Sequence, residues 1–217
     1  MKAGFALASR ADNVARLHAG AIAFDLCVPA ANQPAHPVWK SALARGGGIV
    51  GWRWGTDDTA EGVPNFEAFL SGMITSRTAV QSDLATRRSK LDQLCGANEN
   101  TVDYLEHIVV MTPSLEDAIA AHEKIGLPCK RIREAGGGMR QAFFKLEQTV
   151  LEIVGPARGE PGVWGLAFMC KDIRRAVDLA RANGLEATEP KAAIQGGKIA
   201  RIVAPLDGVA IAYMEPA

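Results

Sequence analysis

Two apolar runs in the second half of the chain are each interrupted by a titratable residue. His107 sits near the start of the run at residues 105–111, and Glu152 breaks the run at 150–154. Aliphatic and β-branched residues at that density predict strands. A polar side chain buried in such a run without a partner costs roughly 1 to 3 kcal/mol, so each is either paired or working. Between the runs, Leu115, Ala118, Ile119, His122 and Ile125 recur at helical spacing and give one apolar face. Ser114 followed by Asp117 fits the capping-box spacing, and Gly126 stands where a helix takes its left-handed stop.

This pattern is written twice. The stretch 107–127 aligns without a gap on 165–185, placing Met111 on Met169, Ala118 on Ala176, Gly126 on Gly184 and Leu127 on Leu185. Further on, Gly137-Gly138 falls on Gly196-Gly197, and Val150-Leu151-Glu152 on Ala210-Ile211-Ala212. The offset moves only from 58 to 60, so the chain predicts two like structural units, 104–156 and 163–216. Each reads as a strand, a helix opened by Ser114 or Asp172, a Gly-rich turn, and two or three short strands. The class is α+β.

Residues 1–100 do not lie on the repeat in any convincing register. Residues 21–28 and 49–54 read as strands with a short helix at 38–44 between them, a degraded βαβ piece. Trp39, Trp52 and Trp54 concentrate here, as a binding wall or, more simply, as local packing. From residue 65 the pattern turns helical. Val80, Leu84, Leu91 and Leu94 make a sparse stripe that predicts a connector helix ending at Gly96, and the polar run 96–101 reads as a linker and domain boundary.

Composition narrows the function classes. The chain has 217 residues, 48% hydrophobic, with 24 basic against 24 acidic residues. Zero formal charge gives no general electrostatic case for nucleic acid or a membrane surface. No run approaches the roughly 20 apolar residues of a membrane span. Arg10 and Asp12 interrupt the N-terminal apolar stretch short of a signal-peptide core. Cys27, Cys95, Cys129 and Cys170 show no C-x-x-C spacing, so free thiols in a reducing cytoplasm are expected.

The stretches Leu105-Glu106-His107-Ile108-Val109-Val110, Arg140-Gln141-Ala142-Phe143-Phe144-Lys145-Leu146, Leu151-Glu152-Ile153-Val154-Gly155-Pro156 and Gly165-Leu166-Ala167-Phe168 resemble a glyoxalase-like branch of the vicinal oxygen chelate superfamily. That superfamily includes glyoxalase I, bleomycin-resistance proteins, methylmalonyl-CoA epimerase and extradiol dioxygenases. The resemblance covers residues 104–216 and implies tandem βαβββ modules forming a cupped mixed sheet. It implies a homodimer, and one divalent metal ion (Zn, Ni, Mn, Mg or Fe) drawn from four positions: His107, Glu152, Gly165 and Ala212. Only the first two can ligate. A catalytic zinc usually has three protein ligands and a non-haem iron site two histidines and a carboxylate. Gln141, Gln195, His18 and His36 are the remaining donors, and none has a spacing argument. Glu215 falls on the wrong strand face unless a bulge intervenes.

Alternation along strands places His107, Val109, Met111, Val150, Glu152 and Val154 on one inward wall, and Gly165, Ala167, Met169, Ala210, Ala212 and Met214 on the other. The second wall reads as hollowed, leaving an apolar pocket for a small organic ligand with His107 and Glu152 as its polar handle and Gln141, Arg140, Met111, Gly165, Ala212 and Met214 around it. Arg131, Arg133 and Arg140 flank Gly136-Gly137-Gly138, either an anion-holding loop or a plain turn. His107 and Glu152 are a site or a buried structural pair. Three function classes stay open: a metal-dependent isomerase, lyase or dioxygenase; metal-free acid/base chemistry centred on Glu152; and a non-catalytic binding or resistance protein.

Overall fold

The computed structural model describes residues 98–124, 127–146, 148–159 and 161–217, and earlier in the chain the backbone of five strands. These five are β1 (Leu7–Ala11), β2 (Val14–Ala19), β3 (Ile22–Cys27), β4 (Arg53–Trp54) and β5 (Met73–Ile74). The remainder comprises β6 (Val102–Met111), α1 (Leu115–Lys124), β7 (Arg131–Gly136), β8 (Met139–Leu146), β9 (Thr149–Gly155), β10 (Gly162–Cys170), α2 (Ile173–Ala182), β11 (Lys191–Ala192), β12 (Lys198–Arg201) and β13 (Ala210–Glu215).

The eight strands from β6 onward form one mixed sheet in the order β11-β12-β13-β10-β6-β9-β8-β7. Counted outward from the β6/β10 seam, each half runs first, fourth, third, second strand. The seam is antiparallel, while β6 with β9 and β10 with β13 are parallel. A pseudo-twofold therefore passes through the seam. Its register repeats as well: Val109 lies beside Glu152 in one half, and Ala167 beside Ala212 in the other. The fold is the expected cupped α+β sheet of two βαβββ modules.

Both helices cover one face. Ile108, Val110, Ala142, Phe144, Leu151 and Ile153 pack under α1 residues Leu115 and Ala118, and Leu166, Phe168, Ala200, Ile211 and Tyr213 join Ile173, Ala176, Val177 and Ala180 of α2 in the same core. Each large aliphatic or aromatic side chain so buried contributes about 1.5 to 3 kcal/mol. Ala19 of β2 is fully buried in this cluster too. The helices begin where their caps predict. The Ser114 hydroxyl accepts from the Asp117 N–H at 3.3 Å, and the Asp172 carboxylate from the Arg175 N–H at 3.0 Å. Gly184 ends α2 at φ +82°, and Gly126 lies outside the described residues.

The Gly-rich segment is a turn. Gly137 and Gly138 join β7 to β8 with φ of +60° and +78°, as a two-residue hairpin loop requires, and Gly196-Gly197 occupies the matching place before β12.

Two expectations for the first hundred residues change. The strand expected at 21–28 is present as β3, but it pairs antiparallel with β2, and β4 pairs with β5 in another sheet. Among the described residues β3 and β4 therefore do not form one βαβ unit. Only two residues separate β1 from β2 and β2 from β3, and so short a hairpin closes at less entropic cost than a crossover. The polar run before β6 is also more than a linker where it is described. Asn100 is fully buried and its side-chain oxygen accepts from the Val102 N–H at 3.2 Å. The Thr101 hydroxyl donates to the Asp172 carbonyl at 2.9 Å, and Arg175 reaches the Glu99 carbonyl at 3.1 Å, tying this stretch to the start of α2. The short helix expected at 38–44, the stripe of the connector helix that ends at Gly96, the three tryptophan side chains, the His18 side chain and His36 lie outside the described residues. Among the described residues no helix is long and apolar enough to cross a membrane, and Cys129 and Cys170 are unpaired thiols.

Candidate functional site

The site begins with an irregularity in β6. Across the seam Ala167 pairs with His107 and Phe168 with Leu105, so Glu106 has no partner and forms a β-bulge. Leu105 and Ile108 are both buried in the helix-side core, at 1% and 6% exposure. Strict alternation would put residues three apart on opposite faces. The bulge absorbs the difference and turns both intervening side chains, Glu106 and His107, to the open face. There the Glu106 carboxylate lies against His107 Nδ1.

Glu152 shares that face two strand positions away, since His107 pairs with Val150 and Val109 with Glu152. The next strand brings Gln141 and Lys145 into the same layer, and β7 brings Arg133 opposite Gln141. A directed chain of hydrogen bonds results. Arg133 donates to the Gln141 side-chain oxygen from Nε at 2.8 Å and from Nη2 at 2.6 Å, and Gln141 Nε2 donates to Glu152 Oε1 at 2.5 Å. The guanidinium groups of Arg131 and Arg133 lie 4.8 and 5.5 Å from the centre of the Phe143 ring, so cation–π contact also holds Arg133 over this wall.

Burial sets the protonation states. It draws His107 down to about 4, helped by the facing charges of Lys145 and Arg133, so the imidazole is uncharged at neutral pH. Burial raises Glu152 above the usual carboxylate range, partly opposed by Arg133. The face thus holds a carboxylate of raised proton affinity and a neutral imidazole whose Nδ1 meets a second carboxylate.

The other half of the open face is small and apolar. Gly165 pairs with Ala210, Ala167 with Ala212 and Met169 with Met214. At Gly165 this is close approach between strands, not vacant space: an added Cβ would meet the Ala210 oxygen at 3.0 Å and its Cβ at 3.2 Å. A side chain at Gly165 would therefore have to displace the neighbouring strand.

The residues do not fit the metal site that the resemblance implies. Gly165 and Ala212 offer no donor, Gln141 occupies one oxygen of Glu152, and Glu106 lies on one nitrogen of His107. Gln195 is exposed in a turn. Glu215 faces the helices, as its parity predicts. Its carboxylate accepts from the Ile173 N–H at 2.9 Å and from Lys198 at 2.6 Å. Among the described residues no three His, Cys, Asp or Glu side chains gather where an ion could sit.

Of the ligand-contact residues expected, Gln141, Met111, Gly165, Ala212 and Met214 are on the open face with His107 and Glu152. Arg140 is a correction. Alternation in β8 turns it to the helix side, where it pairs with Glu116 of α1. Arg133 supplies the guanidinium instead. Glu106 was missed because alternation assigns it to the far side, and its one signal in the sequence is a charged residue adjoining His107 inside an apolar run.

No family model and no curated protein matches the chain. Solved structures do. Methylmalonyl-CoA epimerase from Mycobacterium tuberculosis aligns at 20% identity over 57% of this chain and 93% of its own, with a TM-score of 0.46. A Streptomyces coelicolor methylmalonyl-CoA epimerase variant in complex with 2-nitronate-propionyl-CoA aligns at 19% identity over 54% and 96%, with a TM-score of 0.45. A hypothetical protein from Bacillus halodurans follows at 18% identity over 52% and 94%, with a TM-score of 0.43. The strand order, the duplicated register and the helices on one face make residues 102–215 a paired-βαβββ fold, the arrangement that the sequence resemblance implied.

Proposed function

We propose that the open face binds a small organic anion carrying a carbonyl group and moves a proton on it without a metal ion. The observation that carries this reading is the shared face: a half-buried carboxylate of raised proton affinity, a neutral imidazole and a ring-packed guanidinium in one half, with Gly and Ala opposite. A general base works best when its proton affinity approaches the working pH, and burial moves Glu152 in that direction.

In the proposed step a C–H bond next to the carbonyl breaks and its proton goes to Glu152. The electron pair passes to the carbonyl oxygen, where Arg133 or Lys145 meets the developing charge. Returning the proton, from Glu152 or through His107, completes an isomerisation with no net gain or loss of atoms. Arg133 has five N–H donors, of which two point to Gln141, so it can hold an anionic group as well. Every side chain invoked comes from one chain, so the step needs no second copy.

The test is a thermal-shift screen of small keto and thioester carboxylates, followed by NMR detection of deuterium exchange at the carbon beside the carbonyl. Exchange that persists in chelator and falls roughly 10²-fold or more in Glu152→Gln is the expected result. Saturable binding without exchange, retained in Glu152→Gln, would instead identify a non-catalytic binding protein. A stoichiometric metal ion lost in both His107→Ala and Glu152→Ala, with activity lost on chelation, would overturn the metal-free step.

A further inference from the structure

The bulge in β6 places Glu106 and His107 side by side on a face where a regular strand would present only one of them. Bulges re-aim side chains, and here the re-aimed group is a carboxylate with one oxygen fully enclosed. The Glu106 side chain is 16% exposed and that of His107 10%, so both are withdrawn from water. Among the described residues the enclosed oxygen, Oε2, has no partner except the imidazole Nδ1 it lies against. A carboxylate buried this way needs a donor, and the only one His107 can offer on that side is Nδ1–H.

We propose that Glu106 is the positioning residue for His107. It accepts the Nδ1 proton, holds the ring in that tautomer and leaves Nε2 as the lone-pair nitrogen, the atom through which the imidazole takes up a proton on the open face. The partner of one ring nitrogen fixes the state of the other, and a carboxylate at Nδ1 stabilises the cation that forms when Nε2 is protonated. Glu106 itself does not touch the ligand. This role rests on the proton-transfer reading of the same face, but the tautomer it predicts exists without any ligand. It also explains why the bulge lies at this point of β6: a regular strand would send the carboxylate to the helix side, into an apolar core.

The tautomer can be read directly. Long-range proton–nitrogen correlation spectra of the full-length protein, labelled with 15N-histidine at neutral pH, separate protonated from bare ring nitrogens. Loss of signals in His107→Gln assigns the residue. The expected wild-type result is protonation at Nδ1, with the other tautomer below about a tenth. In Glu106→Gln and Glu106→Ala the Nε2-protonated form should rise at least about fivefold, and Glu106→Asp, which keeps an acceptor, should recover part of the original ratio. Deuterium exchange, where a ligand has been found, should fall at least about tenfold in Glu106→Gln with ligand affinity changed less than about threefold. Nε2 protonation in the wild type, or an unchanged ratio in both Glu106 variants, overturns the proposal even if a variant proves unstable. A ligand screen that yields no exchange overturns the catalytic reading alone and leaves the tautomer result to stand or fall by itself.

Discussion

The two modules share one strand order, one register and one helix placement, yet their open faces differ in kind. The first carries His107, Glu106, Gln141, Glu152, Arg133 and Lys145, and the second carries Gly165, Ala167, Ala210 and Ala212. The helix side, where Leu151 and Ile153 of one module match Ile211 and Tyr213 of the other, is apolar in both. Burial against a helix constrains a position wherever it occurs, whereas the open face contributes little to holding the fold. It is therefore where duplicated copies can diverge.

The equivalent turn glycines give the largest expected contrast. Gly197 has φ of +71°, and a Cβ added there would run into the Glu215 oxygen, with Pro216 C at 2.9 Å, while Gly138 at φ +78° has nothing within 4 Å. Gly197→Ala should cost more than about 3 kcal/mol, and Gly138→Ala only the left-handed penalty of about 1 to 2 kcal/mol. Chemical denaturation of both variants measures the difference. Equal losses would show that the two turns are not inequivalent in the way described.

Histidine-linked acid sensitivity should come from the first module, because residues 163–217 contain no histidine. His107 is drawn to about 4 by burial and by Lys145 and Arg133, and burial also lowers His122, whose Nδ1 bonds the Ala118 carbonyl at 2.7 Å. For both, the unfolded chain binds a proton near 6.5 and the folded one resists it. For both, stability is lost as pH falls below 6.5; for His107 the loss runs towards about 4 and reaches up to about 3 kcal/mol. His107→Gln should flatten denaturation midpoints across that window. Glu152 has the opposite sign: its raised value makes the ionised form unfavourable in the fold, so stability is lost as pH rises through that value. Glu152→Gln should accordingly raise the melting temperature at neutral pH while abolishing exchange.

Smaller effects separate the two faces of the β7–β8 hairpin. Arg133→Met leaves Gln141 without its donor, which should cost about 1 kcal/mol, move Glu152 further up and weaken anion binding. Arg140→Met removes only a surface pair with Glu116 and should leave the melting temperature within measurement error. If Arg140→Met weakened ligand binding as much as Arg133→Met, the assignment of faces would be wrong.

The sequence by itself determined the duplication, the order of elements, the helix starts at Ser114 and Asp172, and the common face of His107 and Glu152. Each of these follows from a local period or from the spacing of identical residues, because helices repeat near 3.6 and strands at 2 whatever they pack against. The same alternation put Glu215 on the helix side, where it now caps α2. Tertiary structure alone decided that Glu106 belongs to the site and that Arg133 rather than Arg131 reaches Gln141. A bulge is a mismatch between two paired strands, so the one in β6 exists only relative to β10, some 60 residues further along. Which arginine meets Gln141 depends likewise on how β7 registers against β8 across a glycine turn. The close approach of β13 to Gly165 of β10 is a distance between backbones that no side-chain pattern encodes.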